Sequence, residues 1–426
     1  MRSLFGICAI AYLMLYAFEG AIRYGLYNVG ADNLILLRDG LIVLPLAVLF
    51  IAQVTRMSVH PAYMVFAAIV VLHGTIATLN LGTTLPAIYG AKLLINVLFG
   101  FIAARLLTLP SRRVLLLLSL VWVASIVGVV LDKYIYTFPW MGLETHIGGI
   151  KVDISRGWDI EGADKRAAGF SRSSIAAAML LPTLAMIIGP RIGSTVIRMA
   201  MMAITTAAVG LTTQKGSLAA VAAVGMILCA PEWSRYRLLC LACIGFASVD
   251  VALPLATAGL MMPDDGGGVF SFSSFAMRIS LTWPDAWQWI AHNDAFPFGV
   301  GLGGIGGAQR FYAANFFNPS DNLFVFLYAN FGLMGLFYLG WISSIGRGLP
   351  PNARQASIPP LAVLAFNLGY GAALSMLEDQ MSALFIGASA GTLWQLKELA
   401  RGGRWIDPLR TDGQSFFAAW RPVRTA

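Results

Sequence analysis

The chain has 426 residues, of which 58% are hydrophobic and only 12% charged, with a formal net charge of +8. Such an apolar composition excludes an ordinary soluble domain. The basic excess follows from membrane topology and attraction to anionic headgroups, so nucleic acid is not an expected partner.

Apolar runs of spanning length fall near 3–22, 33–54, 61–80, 84–107, 114–134, 173–189, 193–211, 217–231, 237–259, 322–345, 358–377 and 381–396. Lipid offers no partners to backbone N–H and C=O groups, so runs of this length must cross as helices. The expected fold is an all-α polytopic integral membrane protein, one domain over 1–426 with about twelve transmembrane helices. The first run begins directly after Arg2 and reaches Glu19 with no small-residue cleavage site, as a retained helix does.

Basic residues set the orientation. With Arg2 inside, the inner segments carry Arg56, then Arg105, Arg112 and Arg113, then Arg191 and Arg198, Arg235 and Arg237, and Arg347 and Arg354. A basic tail, 397–426, follows. This is the positive-inside pattern: both termini are expected in the cytoplasm, and two long loops, 132–172 and 261–321, outside. Short interfacial helices are expected within those loops.

Several charges lie in or at the ends of spans. Glu19, Arg23, Arg38 and Asp39 are expected to snorkel and to pair with one another. Lys92 lies in the outer half of its span, where an ammonium needs a carboxylate or an anionic ligand such as a phosphate. Asp250, in mid-span, is a partner for it or the mark of an ion pathway. The cysteines, Cys8, Cys229, Cys240 and Cys243, all fall in spans and read as packing residues; the histidines show no ligand spacing, so no metal is expected.

The first long loop closes with Lys165-Arg166-Ala167-Ala168-Gly169-Phe170-Ser171-Arg172-Ser173-Ser174. Ser173 or Ser174 is expected to cap the next helix, and three basic residues beside a helix N-terminus suit an anion, or equally outer-leaflet headgroups. A short outer turn, Leu211 to Ser217, carries Lys215 as its only charge.

In the second loop, Ala276, Ile279, Trp283, Trp287 and Ile290 form an apolar stripe expected to lie along the membrane surface. Arg278, Asp285 and His292 are spaced by seven and would share a face of a continuous helix. Pro284 is expected to restart that helix, with Thr282 and Asp285 as a capping box. The run from Pro297 to Gly307 contains G-x-G-x-x-G, but no strand–turn–helix unit surrounds it, so a dinucleotide site is rejected. Its glycines are expected to turn the backbone tightly and approach a ligand. Asp321 stands at the mouth of the next helix, as an N-cap or a functional carboxylate. Glu378-Asp379 reads as a polar turn, and Gly387-x-x-x-Gly391 as a packing motif within one chain or between two.

Taken together, Arg166-x-x-Gly169, Thr213-Gln214-Lys215-Gly216, Arg278 followed by Trp287, Pro297-Phe298-Gly299-Val300-Gly301-Leu302-Gly303 and Asp321-Asn322-Leu323-Phe324 leading into Gly332-Leu333-Met334-Gly335 resemble the O-antigen ligase/polymerase superfamily of bacterial envelope glycan transferases. The resemblance implies a multi-span enzyme of the bacterial inner membrane, working on its periplasmic side without metal, nucleotide or other cofactor. Its donor would be a glycan on undecaprenyl diphosphate, and its acceptor a sugar hydroxyl on another lipid-linked glycan (polymerase) or on lipid A–core (ligase). Loop arginines of the family hold the diphosphate, and these map to Arg166 and Arg278. The chain departs from the pattern in having Lys215 where an arginine is frequent and Asp321 where ligases place a histidine, which favours the polymerase.

The sugar–phosphate bond is already activated, so the enzyme must hold the diphosphate, stabilise its growing charge and orient one hydroxyl. Arg166, Arg278 and Lys215 are the expected diphosphate ligands, with Arg172 and Lys92 as further candidates. Asp321 is the first candidate base and His292 the second. The rival reading is a transporter or flippase of lipid-linked sugars, motivated by Lys92 and Asp250.

Overall fold

The computed structural model describes residues 1–147, 150–155, 165–261 and 272–401. Part of each long loop, including the segment 263–268, lies outside the described residues, as do the tail residues Arg404, Arg410, Arg421 and Arg424.

The described residues are 76% helical. Among the described residues six helices are long and apolar enough to cross a membrane: Asp32–Val54, Pro61–Leu81, Leu85–Ile102, Arg112–Tyr134, Ser174–Arg191 and Glu232–Ala256. Arg2–Ala17 and Glu19–Asn28 make a seventh if read as one span, bent by 82°. The other expected positions also hold helices, but these are short, broken or more polar. Thr195–Leu211 and Lys215–Cys229 are short. The run expected over 322–345 is broken at Gly332 into Leu323–Phe331 and Leu333–Ser344, because the second long loop packs there and Leu333 N–H bonds to Pro297 O at 3.1 Å.

Burial explains the more polar helices. Ser174–Ile188, Pro351–Gly371 and Gln380–Ala400 form the centre of the bundle, with nearly every residue of the first enclosed by protein. Helices surrounded by other helices need small, complementary residues more than apolar ones. The Gly387-x-x-x-Gly391 motif works within the chain: a Cβ on Gly387 would collide with Val97 O, and one on Gly391 would lie 2.5 Å from Phe101 O. Here Gln380–Ala400 crosses Leu85–Ile102 backbone against backbone. Cys240 and Cys243 are buried, their Sγ atoms near the Gly346 and Leu361 carbonyls, as packing residues.

The two long loops differ from expectation. Among its described residues the first contains an antiparallel hairpin and not an interfacial helix, Glu144–Ile147 with Ile150–Asp153, in register Glu144 opposite Asp153. Beneath it Phe138 stacks on Trp140 at 4.5 Å, and both pack against Phe170. The second loop does contain helices, but its apolar stripe turns inward. Ala276, Ile279, Trp283 and Ile290 are buried in protein, and Trp287 packs on Phe324 and Tyr328. The stripe thus docks the loop on Leu323–Phe331 instead of facing headgroups.

At Gly301 and Gly303 the glycine run packs closely against helices, while its last residue, Gly307, lines a cavity. Gly301 and Gly303 have positive φ and leave no room for a Cβ, which would strike Ala77 and Pro86 O respectively. Leu302 N–H bonds to His73 O at 2.9 Å and Val300 N–H to Ala329 O at 2.7 Å. Only glycine permits so close an approach to two helices.

Candidate functional site

Arg166 is positioned by a carboxylate that the sequence reading passed over. Asp132, 2% exposed in the last turn of Arg112–Tyr134, accepts the Ala168 and Gly169 N–H groups on Oδ2 at 2.7 and 3.0 Å. Lys165 Nζ lies 2.7 Å from its Oδ1. Gly169, at φ +62°, sits so tightly on Val129 that a Cβ would approach its N to 2.8 Å. The segment before Ser174–Ile188 is therefore fixed at both edges of Arg166. Ser173 caps that helix as expected, its hydroxyl accepting Ala176 N–H at 3.2 Å.

Arg278 comes to the same place from the second loop. It opens a π-helical turn, Arg278–Thr282, between Ser273–Met277 and Trp283–His292. Thr282 is itself helical and makes no capping bond, so the expected capping box does not form. The wide turn also breaks the seven-residue alignment of Arg278, Asp285 and His292. Burial, and then the neighbouring Arg278 guanidinium, lower the Arg166 pKa, so two cations from loops far apart in sequence sit within electrostatic reach of each other.

Asp321 completes the pair. Its Oδ2 lies 3.3 Å from Arg278 Nε. It is not the helix N-cap; Asn322 is, accepting Val325 N–H on Oδ1 at 3.0 Å. Asp321 (φ +43°) and Ser320 (φ +56°) are both left-handed, a conformation costly for residues with a Cβ. The strain is supported from behind: Ser320 N–H bonds to Asn318 Oδ1 at 2.7 Å, and Asn318 N–H to Gln309 Oε1 at 2.9 Å. Burial pushes the Asp321 carboxyl up while Arg278 pulls it down.

Tyr370 lies under this cluster, within electrostatic reach of Arg278, Asp379, Asp321 and Arg166. Its hydroxyl donates to Gln214 Oε1 at 3.1 Å, and Gln214 Nε2 donates to Ser174 at 3.2 Å. Gly216 packs on the Tyr370 ring. The turn carrying Lys215 is thereby docked on the cluster, with Lys215 itself exposed at the start of Lys215–Cys229.

A cavity of about 720 Å³ opens beside these groups. Arg172 and Lys92 line it, as do Glu378 and Asp379, whereas Arg166, Arg278 and Asp321 do not; the cavity reaches them at Pro319, two residues before Asp321. Lys92 has a carboxylate partner, but it is Asp39 at 2.7 Å and not Asp250. Asp250 is fully buried on Glu232–Ala256, its carboxylate close to Gly371. Glu19 bridges Arg23 and Arg38, each at 2.7 Å, so the charges at these span ends do pair.

The Glu378-Asp379 turn is the second feature the sequence reading undervalued. Glu378 Oε1 accepts Gly307 N–H at 2.6 Å, and Oε2 accepts the Ser375 hydroxyl at 3.0 Å. Burial pushes its carboxyl up to about 7, opposed by those two donors. Asp379 accepts Tyr16 O–H at 2.6 Å and caps Gln380–Ala400 through Ser382 N–H. His292, by contrast, stays outside the cluster, exposed at the end of its helix with its ring stacked on Trp289. Nothing local in the sequence marks Glu378; only the order of helices, which makes 372–379 a turn at the same end as 321, points there.

Compared with models of known protein families and with curated proteins, the sequence matches none.

Proposed function

We propose that the chain is a multi-pass membrane glycosyltransferase that moves a glycan from undecaprenyl diphosphate to a sugar hydroxyl on the periplasmic face. In this reading all twelve helical positions cross the bacterial inner membrane or line its outer rim, with both termini cytoplasmic. The observation that carries it is the meeting of Arg166 and Arg278 beside Asp321. Two guanidinium groups brought near each other in a partly desolvated place favour an anion between them, and their planar forks match diphosphate oxygens. Fixed cations there would stabilise the charge that grows on the leaving diphosphate. Lys215 is a further diphosphate contact, while the other two candidates, Arg172 and Lys92, line the adjoining cavity. Asp321 aligns Arg278 and is the sequence's first candidate for the base.

The polymerase is favoured over the ligase, since Asp321 stands where ligases resembling this chain place histidine. The test incubates purified protein with lipid-linked repeat units. A ladder of lengthening products is expected. Addition only when lipid A–core is supplied would make it a ligase, and no transfer to either acceptor would return the transporter reading. Arg166→Ala and Arg278→Ala are each expected to abolish transfer, with expression and size-exclusion profile unchanged; normal transfer by both would remove the diphosphate site.

A further inference from the structure

We infer that the cavity beside the arginine pair holds the acceptor sugar, and that Glu378 takes the proton of its attacking hydroxyl. This rests on the glycosyl-transfer reading above and adds the second substrate's place to it.

Position comes first. Ser375 Oγ lies 2.8 Å from Pro319 O and 3.0 Å from Glu378 Oε2, its one proton able to serve either, so it stands between the strap that carries Asp321 and the turn that carries Glu378. Glu378 lines the cavity and lies within electrostatic reach of Asp321, the partner of Arg278. The lining suits a neutral, hydroxyl-rich ligand. Its charges balance in number: Arg38, Lys92, Arg172 and Arg310 line it together with Glu19, Asp153, Glu378 and Asp379; Lys92 pairs with Asp39, Arg38 with Glu19, and Arg310 lies over the Phe317 ring at 4.2 Å. Tyr89 and Phe311, 5.4 Å apart, offer ring faces to sugar C–H groups. The volume falls within the roughly 300–1,000 Å³ of small-molecule sites.

Three of the other carboxylates here are engaged. Asp321 faces Arg278, Glu19 is flanked by two arginines, and Asp379 accepts Tyr16 and caps a helix. Glu378 is held by two neutral donors, Gly307 N–H and Ser375 O–H, which fix its plane and leave it basic. The charged and titratable groups around it are Asp321, Arg310, Asp379 and, beside Gly307, Tyr89. In the step, the acceptor oxygen bonds the donor's anomeric carbon and the anomeric C–O(phosphate) bond breaks. Undecaprenyl diphosphate leaves with the electron pair, and the hydroxyl proton passes to the Glu378 carboxylate.

The test compares purified wild type with Glu378→Gln, using lipid-linked repeat units as donor and acceptor. The variant is expected to lose about 10²- to 10³-fold in kcat, with donor binding within about two-fold of wild type. Wild-type kcat/KM should rise with pH through about 7, and the variant should lack that limb. Tyr89→Phe should raise the acceptor KM and spare kcat. A Glu378→Gln enzyme with full kcat and an unchanged acidic limb, or one that has lost donor binding, overturns the inference while transfer by wild type keeps the function. Absence of transfer by wild type overturns the function itself.

Discussion

Asp321 faces Arg278 because two consecutive residues accept a left-handed backbone, and Asn322 relieves it of capping duty. Had Asp321 capped the helix, its carboxylate would have been spent on backbone N–H groups. The pairing makes its substitution informative: Asp321→Asn should loosen Arg278 and raise the donor KM about ten-fold, the worth of one charge-assisted contact. An unchanged donor KM with collapsed kcat would return the proton-accepting role to Asp321. Glu378 makes a separate prediction about stability. Its folded value, about 7, is raised above the usual 4.5, so the native state binds more protons than the unfolded chain between those limits. Stability contributed by this group is therefore lost as pH rises from about 4.5 to about 7. Tm of Glu378→Gln should gain on wild type across that window and hold a constant difference above it. A gap that narrows instead would contradict the burial of this carboxyl.

At the scale of elements, close crossings decide which sites tolerate change. Gly387 meets the Val97 carbonyl with no space for even a methyl group, whereas a Cβ on Gly245 meets nothing within 4 Å. Gly387→Ala should lower stability by about 1–3 kcal/mol through forced separation of two helices. Gly245→Ala should raise it by up to about 1 kcal/mol through helix propensity alone. Thermal unfolding in detergent checks both; equal shifts would mean that the crossing is not close. Arg198 illustrates a second element-level role. Read from sequence as an inner-loop charge, it is 2% exposed and donates to the Gly189, Ile192 and Leu228 carbonyls, closing the ends of two helices at once. The positive-inside pattern and helix capping use the same residue here.

For the whole molecule, the candidate cluster lies at the end where Glu19, Arg38, Lys92, Arg172, Asp321 and Glu378 meet, opposite the basic turns at Arg113, Arg191, Arg235 and Arg354. With the native cysteines replaced, single cysteines at Glu144 and His292 should react with a membrane-impermeant maleimide added to intact cells. Cysteines at Glu232 and Arg401 should react only after permeabilisation. Labelling of all four from outside would undo the proposed orientation, and with it the proposed periplasmic placement of the site.

Apolar runs, basic turns and the Ser173 cap were legible in the sequence because each is local: hydropathy, charge and capping act within a few residues of chain. The convergence of Arg166 with Arg278 could be expected only through a family resemblance, since nothing in either loop refers to the other. The Asp132 clamp, the inward-facing tryptophan stripe and the Glu378 turn were decided by tertiary structure. Each depends on which surface a loop meets when it folds back on the bundle. A buried carboxylate acquires its partners, and its basicity, only from groups that packing brings to it.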